Sequence, residues 1–249
     1  MAYLTGLAHI SELDLYSSTA TPGAGIYPGQ IAWDDKTGKA FRYVLAGGAS
    51  LVVGNLLQSS VTDTTYSNMT VAAAAAAGAT VLSITNGTAT ITNEQFVGGS
   101  LSVYTAGTIG VADEYTILAV TGTLTTGGNL QVTIDRPLRA AMTTSATVNM
   151  RRSPFSGVIQ FPASTQTGVP VGVAIYPILL NQYGWIQTHG QCAVLSDGST
   201  FAVGSNVGSV SGTAGAVTVY DAATTLAAVG TAMQVAAAGK GISVFLQID

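Results

Sequence analysis

Charge is what this sequence has least of. Its 249 residues include 8 Lys and Arg and 12 Asp and Glu, so 8% of the chain is charged, against roughly 25% in an ordinary soluble domain. A lone cysteine, Cys192, excludes an intrachain disulfide, so the fold is stabilised without covalent staples. Two histidines, His9 and His189, leave little material for acid–base chemistry near neutral pH. Long apolar runs are missing as well. Gly, Thr, Ser or Asn interrupts each one before the roughly 18 to 20 residues that a spanning helix needs, and the opening segment MAYLTGLAHISELD carries neither the basic nor the apolar region of a signal peptide. A formal net charge of -4 argues against a sequence-independent nucleic-acid binder, which needs Lys and Arg to displace phosphate counterions. The expected partners therefore include no nucleic acid and no membrane.

What is present points to strands. Thirty glycines with abundant Thr, Val, Ser and Ala make a poor helical composition and a good β one. Leu, Ile, Val and Phe form about a quarter of the chain, above the range of disordered proteins, so a core can form. A surface of Thr, Ser and Gly suits a protein that buries much of itself against neighbours, because each unpaired charge in an interface core costs desolvation energy. The expected class is all-β: a short N-terminal arm and hairpin, then two β-sandwich or barrel-like domains.

Three blocks follow from the breakers. Residues 1–60 comprise an arm, closed by the breaker-rich stretch Ser17–Gly25, and a hairpin in which Ile26–Trp33 and Ala40–Ala46 flank the polar turn Asp34–Lys39. The arm, with scattered Leu4, Leu7, Ile10, Leu13 and Leu15, is expected to be the mobile part until a partner orders it. Residues 61–155 form a β domain. It opens on the alanine run Ala72–Ala77, which is either a single helical turn or a strand-like linker. Segments Thr80–Thr85, Thr88–Thr92, Ser100–Thr105, Tyr115–Thr121 and Leu130–Ile134 follow as strands, with Asn86–Gly87 read as a type I′ turn between the first two. Residues 156–249 form a C-terminal β-barrel domain, with strands over Val158–Phe161, Gly172–Ile178, Gly184–Thr188, Gln191–Leu195, Gly215–Tyr220, Gly230–Val235 and Ile242–Ile248. Gly204–Gly212 reads as a flexible loop. No repeat of fixed period occurs, which disfavours solenoids and propellers.

Catalytic constellations are thin. The G-x-S-x-G elbow is absent, and His189 with Asp197 and one of many serines makes no specific signal. His189 and Cys192 offer two soft ligands where zinc needs three or four. Glu94 with Asp113–Glu114 are read as solvated loop carboxylates rather than a glycosidase pair. Neither a P-loop nor a dinucleotide glycine pattern is present. No enzyme activity, metal or cofactor is expected.

Charge placement says more. Arg136, Arg139, Arg151 and Arg152 supply half of the positive charge within one short stretch. They read either as local ion pairs, with Asp135 adjacent, or as a docking patch in which guanidinium forks bind carboxylates of a partner protein.

The segments Gly29–Asp34 with Phe41–Val44, Asp135–Leu138 with Arg151–Phe155, and Tyr183–Gly190 with the C-terminal strand resemble virion structural proteins of tailed bacteriophages, in particular the β-rich cement or decoration proteins of the capsid. The resemblance implies a non-enzymatic protein that clamps the major capsid protein on the outer surface of the virion, often as a homotrimer, after assembly in the host cytoplasm. The four arginines are then the expected capsid contacts. Rival expectations are a head fibre, tail or baseplate component, or a receptor or glycan binder using Trp33, Trp185 and Tyr183 as stacking platforms.

Overall fold

The computed structural model describes residues 12–23, 25–61, 64–87, 89–92, 95–104, 113–209, 212–221, 227–235 and 241–248. Among them the chain is all-β apart from one helical turn, α1 (Glu12–Leu15). The strands are β1 (Ile31–Asp34), β2 (Lys39–Ala46), β3 (Leu56–Gln58), β4 (Met69–Thr70), β5 (Val81–Thr85), β6 (Ser100–Tyr104), β7 (Asp113–Gly122), β8 (Asn129–Ile134), β9 (Thr147–Arg151), β10 (Ser156–Gln160), β11 (Pro170–Ala174), β12 (Tyr183–Val194), β13 (Asn206–Ser209), β14 (Val217–Val219), β15 (Ala228–Ala232) and β16 (Ile242–Gln247). They belong to two compact units, residues 62–153 and a discontinuous unit of residues 1–61 with 154–249.

The inserted unit is a six-stranded antiparallel sheet in the order β4-β9-β6-β7-β8-β5. Its two edges meet where Val71 bridges Ile84 and the Ala72 N–H donates to the Ser83 carbonyl at 2.8 Å, so the sheet closes on itself. Closure follows from alternation. Leu82, Ile84, Leu101, Val103, Tyr115, Ile117, Leu130, Val132, Val148 and Met150 all point inward and form one core, each fully buried side chain contributing roughly 1.5–3 kcal/mol. Outward positions on the same strands are short and polar, among them Ser83, Ser100, Ser102, Thr116, Gln131, Thr133 and Asn149. The alanine run bends at Ala72–Ala73, bridges Met142 at Ala75 and ends in a turn closed by the Ala79 N–H on the Ala76 carbonyl, and it makes no helical turn.

The second unit is built on β12. The ten-stranded order is β1-β2-β10-β3-β11-β12-β16-β15-β13-β14, with β2 also paired to β12. Strands β2, β10, β3, β11 and β12 therefore close a small barrel around Val44, Leu51, Leu57, Val158, Val171, Ile178 and Ile186. Past the register shift between Gln187 and His189, β12 leaves the barrel and pairs with β16 over His189–Val194. There it covers a second core of Phe161, Val173, Val194, Phe201, Val207, Val229, Val244 and Leu246. Just after the shift, Gly190 sits at φ 84°, a conformation that favours glycine. What the sequence suggests as two strands is one strand that changes partners at a bulge.

Several expectations are corrected. The hairpin does form, with Ile31 opposite Arg42 and Gly38 at φ 68°, but residues 1–60 are no separate domain, and 156–249 is no self-sufficient barrel. Strand β2 pairs with β10 and β12, and β3 pairs with β10 and β11; without them those strands would present open edges. The described part of the arm is held rather than loose, since Thr19 and Tyr183 exchange both main-chain hydrogen bonds at 2.9 and 2.8 Å. Residues 1–11 lie outside the described residues. Asn86–Gly87 is not a hairpin turn, because β5 pairs with β8 and residues 89–92 form no strand. The supposed glycine loop contains β13. Strands β4 and β9 carry no turn signal that marks them in sequence.

Candidate functional site

Two of the four arginines converge. Strand β7 starts with Asp113 and Tyr115 facing inward and Glu114 outward. The Arg139 guanidinium lies 2.6 Å from Asp113 Oδ1, and its main-chain N–H donates to Tyr115 Oη at 3.3 Å. Arg136 stacks its guanidinium 4.9 Å from the Tyr115 ring centroid, donates to the Glu114 carbonyl and lies 3.8 Å from Asp135. Arg151 ends β9 and donates to Ser67 Oγ at 3.2 Å, while Arg152 is exposed in the segment that follows. Within this unit Arg151, Ser100 and Thr116 form one cross-strand row, and the Asp135 N–H donates to the Thr116 carbonyl. The row runs from Arg151 to the residue preceding Arg136 across the outer face. Arg136 and Arg139 remain half or more exposed while making these contacts.

A different site lies in the discontinuous unit; of its residues, sequence reasoning named Trp33 as a stacking platform and His189 and Cys192 as candidate ligands, without bringing them together. Alongside the β1–β2 hairpin runs a groove of about 780 Å³ lined by Trp33, Phe41, Ile175, Gln187, Asp35 and Lys39 among others. Trp33 is 46% exposed. Its partner across the hairpin is Ala40, which also faces His189, so the small alanine lets the two rings approach to 5.9 Å between centroids. Phe245 packs edge-on against His189 at 5.2 Å. The indole thereby ends a cluster of three rings, Trp33, His189 and Phe245. At the hairpin turn, the Thr37 hydroxyl and the Lys36 N–H donate to the Asp34 carboxylate; these bonds, the Thr37 one first, hold its pKa below the usual carboxylate value. Gln187 Nε2 donates to the carbonyls of His189 and Gln191, both at 2.9 Å, pinning the bulge and leaving the carboxamide oxygen as the side chain's acceptor.

The other platforms named from sequence do not share this arrangement. Trp185 is 2% exposed and packs with Tyr43, which itself stacks on Tyr183 at 5.7 Å; these rings form a core with Ala32 and Phe41. Trp185 is thus a core residue and not a stacking platform. Burial of Cys192 pushes its thiol up to about 11, against a smaller opposing effect of Lys39. Asp197 binds the N–H and hydroxyl of Ser199 in a local turn. Among the described residues no group of three or more His, Cys, Asp and Glu is placed to hold a metal ion. His9, Glu94 and Lys240 lie outside them.

No family model, curated protein or solved structure matches this chain. The geometry of its own residues is therefore the basis for assigning a role.

Proposed function

We propose that this chain is a non-enzymatic decoration protein of a phage capsid, binding the major capsid protein from outside and stabilising the lattice as a homotrimer. One observation carries the reading. Segments 47–58 and 174–182 hold no charged residue, and they run antiparallel, with Leu51 bridging Ile178 and the Leu180 N–H donating to Ser50 Oγ at 3.1 Å. From this pair Val52, Val53, Tyr176, Leu179 and Leu180 are exposed. Burying such a patch against a partner costs no charge desolvation, and each half-exposed side chain can still contribute roughly 1 kcal/mol. Repetition over a lattice multiplies a modest single-contact affinity. The short, mostly uncharged outward side chains of the inserted barrel are consistent with the same use, since they lose little entropy at an interface.

The direct test is cryo-electron microscopy of purified virions together with head-binding by variants. Density for both units on the outside of the head, in threefold groups, is the expected result, and Leu179→Asp and Leu180→Asp should release the protein from heads while leaving its thermal unfolding unchanged. Density confined to the tail, or undiminished head binding by both variants, would overturn the reading.

A further inference from the structure

We propose that the groove beside the β1–β2 hairpin is a saccharide-binding site, with Trp33 as its stacking surface. The inference does not depend on the decorating role, because it concerns a different class of ligand and is anchored on Trp33, although Val53 of the apolar patch also lines the groove. A volume of about 780 Å³ is within the usual range of small-molecule sites and has room for a short oligosaccharide. Its chemistry is two-sided. Ala32, Phe41, Ala174 and Ile175 supply apolar lining, while Asp34, Asp35, Lys36, Lys39, Gln187 and Gln191 bring polar groups to the same space. Two carboxylates and two ammonium groups cancel, so the lining carries no net charge that would select an anion or a cation. A neutral ring with an apolar C–H face and a rim of hydroxyls satisfies both sides at once.

Three details show preparation for such a ligand. The Trp33 indole is open to solvent yet fixed against His189, which itself rests on Phe245, so little freedom is lost when a sugar face stacks on it. Asp34 is tied down by its own turn, which presents its neighbour Asp35 as an exposed acceptor beside the indole. Gln187, 2% exposed, has both donor bonds directed at main-chain carbonyls, which leaves its carboxamide oxygen to accept from a hydroxyl in the groove.

Trp33 and Trp185 are the two tryptophans of the chain, and Trp185 is buried, so emission changes on adding a ligand report on Trp33. The experiment titrates the full chain with maltose, cellobiose, N,N′-diacetylchitobiose and lactose, read by tryptophan emission and by isothermal calorimetry. At least one of these should bind with a Kd on the order of 1 mM, and Trp33→Ala or Asp35→Ala should weaken it about tenfold or more. Both positions are exposed, and unchanged thermal unfolding of each variant, with Trp185 emission as the fold reporter in Trp33→Ala, keeps loss of binding distinct from loss of fold. Absence of binding by all four sugars at about 50 mM, or equal binding by wild type and both variants, would overturn the assignment. Head binding of the Trp33→Ala protein should match wild type, so failure of either proposal is read separately.

Discussion

Arg139 reaches back 26 residues to place its guanidinium 2.6 Å from the Asp113 carboxylate, and the two partners differ sharply in environment: the Asp113 side chain is 11% exposed and that of Arg139 72%. The bond therefore does more for the buried acid than for the exposed base. Tyr115 Oη, 3.4 Å from Asp113 Oδ2, is the second donor of the cluster.

Arg139→Ala should accordingly destabilise the inserted barrel by about 1–2 kcal/mol, the cost of leaving a largely buried carboxylate short of a charged donor, with the exposure of the guanidinium keeping the value low. Asp113→Asn should cost less, since no buried charge is left behind. Chemical denaturation of the two variants checks the order, and an equal or reversed order would mean that the pair is incidental to stability.

Asn86 is fully buried, and its Nδ2 donates to the carbonyls of Ala89 and Leu124 at 2.7 and 2.8 Å. Asn86→Ala strips two part-buried carbonyls of their donor and should cost about 1–2 kcal/mol. Asn86→Asp should be worse, because a carboxylate cannot donate and its charge would be buried. Thermal unfolding should rank wild type above Asn86→Ala, and Asn86→Ala above Asn86→Asp.

Two glycines of the same unit should respond differently to one methyl group. A Cβ on Gly99 would stand 2.0 Å from the Arg151 carbonyl oxygen, whereas one on Gly127 meets nothing within 4 Å although its φ is +78°. Gly127→Ala should cost about 1 kcal/mol in backbone strain. Gly99→Ala must push β9 away and should cost about 3 kcal/mol or prevent folding. Similar unfolding midpoints for the two variants would contradict the packing described at Gly99.

Cys192 should be nearly inert in the native protein. With its thiol pushed up to about 11 by burial, the thiolate at pH 8 is on the order of one part in a thousand, and only the thiolate reacts. A disulfide reagent at pH 8 should label the unfolded chain much faster than the folded one. Because the folded thiol keeps its proton to higher pH than the unfolded one, its contribution to stability is complete below about 9, the ordinary thiol value, and is lost between there and about 11. Cys192→Ala should flatten stability over that interval, and an unchanged pH profile would show that other groups dominate it.

The hairpin at Asp34–Lys39 was readable in the sequence because everything it needs is local: an Asx-type acceptor, a glycine able to take positive φ, and flanking strands of opposite polarity. Most other strands were also legible from Thr, Val and Ile alternation. The failures came where local chemistry was overruled by a distant partner. Asn86–Gly87 has the composition of a tight turn, but Asn86 pairs with Gly127 and Gly128 through its main chain and turns its side chain inward. The four arginines were visible as a charge cluster in sequence, yet Arg151 and Arg139 meet different partners. The groove left almost no local trace, since Trp33, Ile175, Gln187 and Cys192 are spread over some 160 positions.

Composition and alternation alone determined that this chain is β-structured, poor in surface charge and able to build a core without disulfides, because each of those properties is a sum over residues or a period of two along the chain. Which strands share a unit was decided only by tertiary pairing. The edges of β10, β11 and β12 are completed by β2 and β3 from more than a hundred residues earlier, while β4–β9 close on themselves between them. A strand's hydrogen-bonding edge is the same peptide group whatever the side chain, so nothing in the local sequence names its neighbour; the partner is selected by which closure buries both faces and leaves the fewest open edges.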